Sequence, residues 1–219
     1  MPPPRYADRA DAGRALATAL AGRADAHALV LGLPRGGVLV AAEVAAALAA
    51  DLDVLVVRKL GVPEHPELAM GAIAAVGGAV ETVWVRRVLD RAAPDPAAVS
   101  AVHDRELAEL RRRTTAYRGA RPAPAVAGRH VVLVDDGLAT GATMRVAVRA
   151  LRRSGPARIT VAVPVGPPES VAELTGVVDD AVCLQAPAGF RSVGQAYADF
   201  SDTPDEEVLA ALARGGAVG

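Results

Sequence analysis

The chain has 219 residues, a formal net charge of −1 from 24 basic and 25 acidic side chains, and 52% hydrophobic residues. This size and composition predict a single domain over residues 1–219, because two independent cores would need a longer chain. The balanced charge provides no basic surface for nucleic acid, and the sequence has no apolar run of about 18 residues that would span a membrane.

The amino-terminal part of the chain predicts two helices around a buried strand. After a loose lead-in at 1–4 come an amphipathic helix at 8–23, a strand at 28–33 and an alanine-rich helix at 38–49. The turn between this strand and the second helix contains Arg35, Gly36 and Gly37. Free N–H groups at a helix start attract anions, so the turn is either a candidate anion site or an ordinary glycine turn. Its spacing fits neither the dinucleotide motif nor the Walker loop.

The chain's one lysine lies at the end of a second predicted strand. This strand covers 53–57 and is followed by Arg58 and Lys59, whereas every other one of the 24 basic residues is an arginine. The next segments are predicted as an irregular loop at 60–67 and a hairpin of strands 70–76 and 79–85 around a glycine pair. A lysine before a mobile loop is suited to follow a departing group that gains negative charge. The alternative is that Lys59 is a surface-exposed lysine at the end of a strand.

Residues 86–117 predict a helical insertion. Asp95 and Pro96 form a helix start, and many charged residues follow them. The apolar stripe of this segment is loose and consists of Val99, Val102, Leu107 and Leu110. We expect one short and one long helix, which cover the site or make a dimer contact. The arginine run at 111–113 predicts a solvated helix face.

One turn carries most of the candidate chemistry. Four apolar residues at 131–134 predict a strand buried on both faces, and a helix is predicted at 142–151. Asp135 and Asp136 lie between them. These carboxylates can accept hydrogen bonds from adjacent ribose hydroxyls, directly or through a divalent cation, while the helix start favours a phosphate. The alternative is that the pair only caps a helix or solvates a turn.

The carboxyl-terminal part of the chain completes the predicted sheet and ends in a cap segment. We predict a strand at 159–165, a helix at 167–174, a strand at 181–184 and a helix at 205–214. The cap segment, residues 186–219, contains Phe190, Tyr197 and Phe200, three of the few aromatic residues. Their rings either stack on a planar acceptor or pack at the edge of the fold.

The central turn resembles a known family signature: a hydrophobic strand, two acids, three variable residues and then Thr-Gly-x-Thr are typical of the type I phosphoribosyltransferases. The resemblance implies an α/β fold with a doubly wound, mainly parallel sheet and flanking helices, extended here by a hairpin lid and the helical insertion. It implies that ribose and 5-phosphate bind to Asp135, Asp136, Ala139, Thr140, Gly141, Ala142 and Thr143. Pyrophosphate would bind to Arg35, Gly36, Gly37 and Lys59. The implied catalytic residues are Lys59, Arg58, Asp135 and Asp136.

The same resemblance implies an enzyme that transfers 5-phosphoribosyl from phosphoribosyl pyrophosphate to a nitrogen acceptor, such as a nucleobase, and releases pyrophosphate. Mg²⁺ is the implied cofactor, held through the substrate, with Asp135 and Asp136 as candidate direct ligands. In the family's 6-oxopurine enzymes an aspartate stands where this chain has Ala139, which argues against hypoxanthine or guanine as the acceptor. The alternative function is a non-catalytic module that senses phosphoribosyl pyrophosphate.

The last expectations concern where the protein is located and how it assembles. Met1 begins no charged, apolar and small-residue leader pattern, and the single cysteine, Cys183, can form no internal disulfide. We therefore expect a cytoplasmic homodimer whose partners are phosphoribosyl pyrophosphate and a small-molecule acceptor, with neither nucleic acid nor membrane among them.

Overall fold

A computed structural model describes residues 5–24 and 27–215, so the predicted lead-in at 1–4 lies outside the described residues. The elements are, in chain order, α1 Arg9–Leu20, β1 Leu29–Gly32, α2 Gly36–Leu48, β2 Asp51–Val54, β3 Val57–Val62, β4 His65–Val76, β5 Ala79–Trp84, α3 Arg86–Ala92, α4 Pro96–Arg118, β6 His130–Val134, α5 Ala142–Arg153, β7 Arg158–Val165, α6 Pro168–Thr175, β8 Asp180–Gln185, a 3-10 helix Val193–Ala196, and α7 Asp205–Gly215.

Five parallel strands form the central sheet, in the order β2-β1-β6-β7-β8. A helix joins β1 to β2, another joins β6 to β7, and a third joins β7 to β8, as parallel strands require. The predicted doubly wound, mainly parallel sheet with flanking helices is confirmed.

Helices cover both faces of this sheet because its strands are apolar on both sides. In β6, Val132 and Val134 join one core with α1, α2 and α7, while Val131 and Leu133 join the other core with α5. All four side chains are fully buried, and each such burial stabilises the fold by roughly 1.5 to 3 kcal/mol. Because β6 is buried on both faces of the sheet, its carboxyl end and the residues that follow it have a fixed position.

The hairpin predicted around Gly77 and Gly78 is confirmed, but it belongs to a second sheet of three antiparallel strands, β3-β4-β5. The prediction of one strand over 53–57 was wrong: β2 ends at Val54, and Arg58 and Lys59 lie within β3.

The prediction of an irregular loop at 60–67 was also wrong. β3 continues to Val62 and β4 begins at His65, so the segment is a hairpin. Its two prolines are tolerated because Pro63 lies in the turn and Pro66 lies where the strand register shifts around Gly61, a place that makes no regular ladder bond.

The helical insertion contains one short and one long helix, α3 and α4, as predicted. The α4 helix begins at Pro96, and the Asp95 carboxylate accepts hydrogen bonds from the first backbone N–H groups, which stabilises a helix start. The helix packs on β3 and β4 and reaches α7. At its end, Arg118 forms a buried ion pair with Asp53 at 2.7 Å. Within residues 5–24 and 27–215, each helix is too short or too polar to cross a membrane.

Candidate functional site

Two turns that were predicted separately lie together at the carboxyl edge of the central sheet. Because β1 and β6 are adjacent and parallel, Gly36 and Gly37, which follow β1 as the first residues of α2, lie against Asp135 and Asp136, which follow β6. A Cβ atom on Gly37 would be 2.8 Å from the Asp135 Cα, and one on Gly36 would overlap the Asp136 Oδ2. Gly37 must therefore be glycine for the two segments to approach this closely, whereas a side chain at Gly36 would displace the Asp136 carboxylate and Arg9.

Asp136 is held by an arginine that the sequence analysis did not single out. Arg9, the first residue of α1, donates from Nε to Asp136 Oδ2 at 2.8 Å, and the two side chains are 12% and 17% exposed. Arg9 also donates to the Ser201 carbonyl at 2.8 Å and lies 4.2 Å above the Phe200 ring. A cation is unfavourable at a helix N-terminus, and this conflict is the signal in the sequence that could have identified Arg9.

Both aspartates have raised pKa values. Burial and the adjacent charge of Asp136 raise the pKa of Asp135 well above its ordinary value, although the Asp136 N–H donates to Asp135 Oδ1 at 2.9 Å. Burial also raises the pKa of Asp136, and Arg9 opposes this rise. Neighbouring carboxylates in a poorly hydrated place favour a ligand that brings hydroxyl donors or a cation.

The turn at 139–143 presents an open helix start. Thr140, Ala142 and Thr143 are exposed, whereas Gly141 is buried, has φ +68° and directly precedes α5. Two side chains hold the backbone of this turn. The Ser170 hydroxyl donates to the Ala139 carbonyl at 2.9 Å, and Arg145 donates to the Thr140 carbonyl at 2.9 Å. Neither of these two supporting residues was predicted. The free N–H groups at the start of α5 are suited to a phosphate.

Arg58 and Lys59 lie apart from the aspartates. Arg58 donates to Glu106 of α4 at 2.6 and 3.0 Å, and Lys59 Nζ donates to the Glu67 carbonyl at 3.3 Å. Both residues line a cavity of about 510 Å³ whose described lining includes neither the 135–136 pair nor the 35–37 turn. The structure thus brings the ribose and phosphate candidates together and leaves the two basic residues of β3 at a separate place.

The aromatic residues of the cap segment pack at the edge of the fold, which was one of the two predicted roles. Tyr197 is 2% exposed, its ring lies 5.0 Å from Phe200 and 5.7 Å from Tyr6, and its hydroxyl donates to the Asp136 carbonyl at 2.6 Å. Burial is the main cause of its raised pKa. Tyr197 therefore supports the backbone of the aspartate pair.

A second cavity, of about 530 Å³, lies at the carboxyl edge of the central sheet. It lies where β7 and β8 end, and its lining consists of Arg5, Val165, Gln185, Pro187, Gly189, Arg191, Gln195 and Ala196. Gly137, which follows Asp136, packs against one residue of this lining, because a Cβ atom on it would meet the side chain of Val165 as well as that of Val193.

Comparisons with known proteins agree with this geometry. Residues 8–201 match the family model described as "Phosphoribosyl transferase domain". The chain is 49% identical over 209 residues to the "Putative phosphoribosyl transferase" of Mycobacterium tuberculosis, in an alignment that covers 95% of this chain and 46% of that protein. It thus spans about half the length of the curated relatives it matches. The crystal structure of TT1426 from Thermus thermophilus has 44% identity and a TM-score of 0.85, covering 97% of this chain and 100% of that one. The chain belongs to the phosphoribosyl transferase domain family.

Proposed function

We propose that the protein transfers the 5-phosphoribosyl group of phosphoribosyl pyrophosphate to a nitrogen acceptor. The observation that supports this most directly is the segment between β6 and α5, in which Asp135 and Asp136 follow the strand and residues 137–141 lead to the open start of α5. The pair accepts the ribose hydroxyls, and residues 139–143 bind the 5-phosphate. One turn then holds the sugar at both ends, which positions its anomeric carbon.

In the proposed reaction the acceptor nitrogen attacks the anomeric carbon with inversion. The bond from that carbon to the pyrophosphate oxygen breaks, pyrophosphate leaves with the electron pair, and the acceptor nitrogen releases its proton to solvent. Positive charge grows on the sugar while negative charge grows on the leaving group. Residues 35–37 stabilise the leaving group beside the sugar. In this proposal Lys59 and Arg58 act on it when the hairpin lid, β3–β4, carries them from their separate cavity to the pyrophosphate. The chain then acts mainly by positioning and charge stabilisation.

The aspartate pair also fits a magnesium ion. Within residues 5–24 and 27–215, no cluster of three or more acidic, histidine or cysteine side chains could hold a metal by itself. Asp135 and Asp136 nevertheless offer two carboxylates with raised pKa values, a charge pair that a divalent cation would relieve. They would hold Mg²⁺ together with oxygens of the substrate. The ion would neutralise charge on the pyrophosphate.

The acceptor binds, in this proposal, in the cavity at the ends of β7 and β8. Its volume of about 530 Å³ lies within the range of small-molecule sites, and its lining residue Val165 packs against Gly137, the residue after Asp136. Ala139 continues to argue against the 6-oxopurines. The homodimer, the cytoplasmic location and the role of the 86–117 insertion as a cover or a dimer contact remain predictions.

The direct test is release of pyrophosphate from phosphoribosyl pyrophosphate and Mg²⁺ with a panel of purine, pyrimidine and pyridine bases. We expect release that depends on both magnesium and one class of base. Tight magnesium-dependent binding without release with any base would instead assign the chain as a sensor of phosphoribosyl pyrophosphate.

Lys59→Ala should separate leaving-group chemistry from sugar binding. We expect kcat to fall by at least about tenfold, because a compact ammonium no longer follows the growing charge on pyrophosphate. Affinity for ribose 5-phosphate, measured by calorimetry, should stay nearly unchanged, since that ligand lacks the diphosphate. Arg91→Ala, an exposed basic residue on α3, is the control and should change neither quantity. Equal losses of kcat and affinity in Lys59→Ala would make Lys59 a structural residue.

A further inference from the structure

Glu106 interrupts the apolar face of α4. Val102 and Leu110, four residues before and after it, are 7% and 0% exposed, and Glu106 itself is 9% exposed. Residues four apart lie on the same face of a helix. A carboxylate there loses most of its hydration, and a well-packed apolar side chain would stabilise this face at least as well. Packing alone therefore does not account for Glu106.

The partners of Glu106 are cations that surround one cavity. Arg58 donates to its Oε2, from Nη2 at 2.6 Å and from Nε at 3.0 Å, and Arg105 donates to its Oε1 from Nε at 3.2 Å. Lys59 lines the same cavity of about 510 Å³. Three cationic side chains and one carboxylate give the lining an excess of positive charge. The carboxylate is thus an anion already bound among basic groups.

We propose that Arg58, Lys59 and Arg105 form a polyphosphate-binding site, and that Glu106 occupies it as an internal anion until pyrophosphate displaces it. The proposal rests on the proposed function for the roles of Arg58 and Lys59, and it adds Arg105 and the competing carboxylate. Two oxygens of a diphosphate can accept paired hydrogen bonds from one guanidinium group, as the two oxygens of a carboxylate do. The diphosphate also carries more negative charge.

The first test compares binding of inorganic pyrophosphate by the wild-type chain and by Glu106→Gln, using calorimetry. Glutamine keeps the size of the side chain and removes the competing charge, so affinity should rise about tenfold or more. Glu109→Gln is the matched control: Glu109 lies on the same helix, pairs with Arg112 and Arg113 at 2.7 Å each, and is absent from the lining of this cavity. It should bind pyrophosphate as the wild type does. Unchanged or weaker binding by Glu106→Gln would overturn the proposal, because Glu106 would then orient Arg58.

A second variant avoids a buried substitution. The Arg105 side chain is 68% exposed, so Arg105→Gln should fold normally. We expect its affinity for pyrophosphate to fall several-fold, whereas Arg112→Gln, at 66% exposure on the same helix, should leave it unchanged. Equal affinities of these two variants would contradict the role of Arg105.

Binding of ribose 5-phosphate distinguishes this inference from the proposed function. That ligand depends on the aspartate pair and the 139–143 turn, so Glu106→Gln should bind it like the wild type. If the wild-type chain does not bind ribose 5-phosphate, the proposed function fails, while the pyrophosphate comparison still decides the role of Glu106.

Discussion

Gly36→Ala is expected to reduce affinity for phosphoribosyl pyrophosphate by about 100-fold or more, the effect of moving binding groups by an ångström or so. The added methyl group would overlap the Asp136 Oδ2 and crowd Arg9 Nε. The Asp136 carboxylate and the Arg9 guanidinium must then shift, which disturbs their ion pair and moves a proposed ribose acceptor. Alanine is otherwise the better residue at the start of α2, so the loss reports the contact between the two turns and no weakness of the helix.

Gly176→Ala is the matched control for this prediction. Gly176 ends α6 with φ −79° and ψ −10°, and the nearest heavy atom to an added Cβ atom is 3.7 Å away. The control should keep both its affinity and its melting temperature. The measurement is calorimetric titration with phosphoribosyl pyrophosphate and Mg²⁺, and wild-type affinity in Gly36→Ala would show that the two turns do not form one site.

The sequence predicted well the segments whose burial is continuous. The strand at 131–134 and the helix at 142–151 were predicted close to their observed bounds, β6 and α5, because an unbroken apolar run followed by a glycine turn allows few structures. The same pattern placed the phosphate candidate turn at a helix start. These parts of the site are specified locally.

Contacts between distant segments left no signal that names both partners, since Arg9 stands out only as a cation at a helix N-terminus. Arg9 and Asp136 are 127 residues apart, and Arg58 and Glu106 are 48 apart. In a chain with so many arginines, nothing local indicates which guanidinium meets which carboxylate. The helical period offers one clue. Glu106 stands four residues from both Val102 and Leu110, on a stripe that the sequence predicts to be loosely apolar.

The β3–β4 hairpin shows why composition misled the prediction of an irregular loop. Prolines usually exclude a regular strand, yet Pro63 lies in the tight turn and Pro66 at a register shift. Whether a proline disrupts a sheet depends on which backbone N–H groups take part in the ladder. That pairing is a property of the folded sheet, so the sequence could not supply it.

Asp135→Asn should weaken ligand binding and stabilise the free protein. The raised pKa of Asp135 means that the folded chain binds this proton more tightly than the unfolded chain does. The contribution of the carboxyl group to stability is therefore full below its ordinary pKa of 3.8 and is lost as the pH rises through the raised value. Above its raised pKa the wild type holds an ionised, poorly hydrated carboxylate, and asparagine removes this charge while its amide oxygen can still accept from the Asp136 N–H.

We therefore expect Asp135→Asn to raise the free energy of unfolding at pH 7.5 by on the order of 1 kcal/mol, and the gain to shrink as the pH falls towards 4. Urea unfolding at several pH values measures this, and calorimetry with phosphoribosyl pyrophosphate and Mg²⁺ should show affinity reduced by about 100-fold. Asp179→Asn should behave oppositely in stability, because Asp179 has a lowered pKa through its bond from the Ile159 N–H. If Asp135→Asn is less stable than the wild type at pH 7.5, or if its gain does not change with pH, the carboxylate is not the strained group on which the proposed ribose and magnesium binding depends.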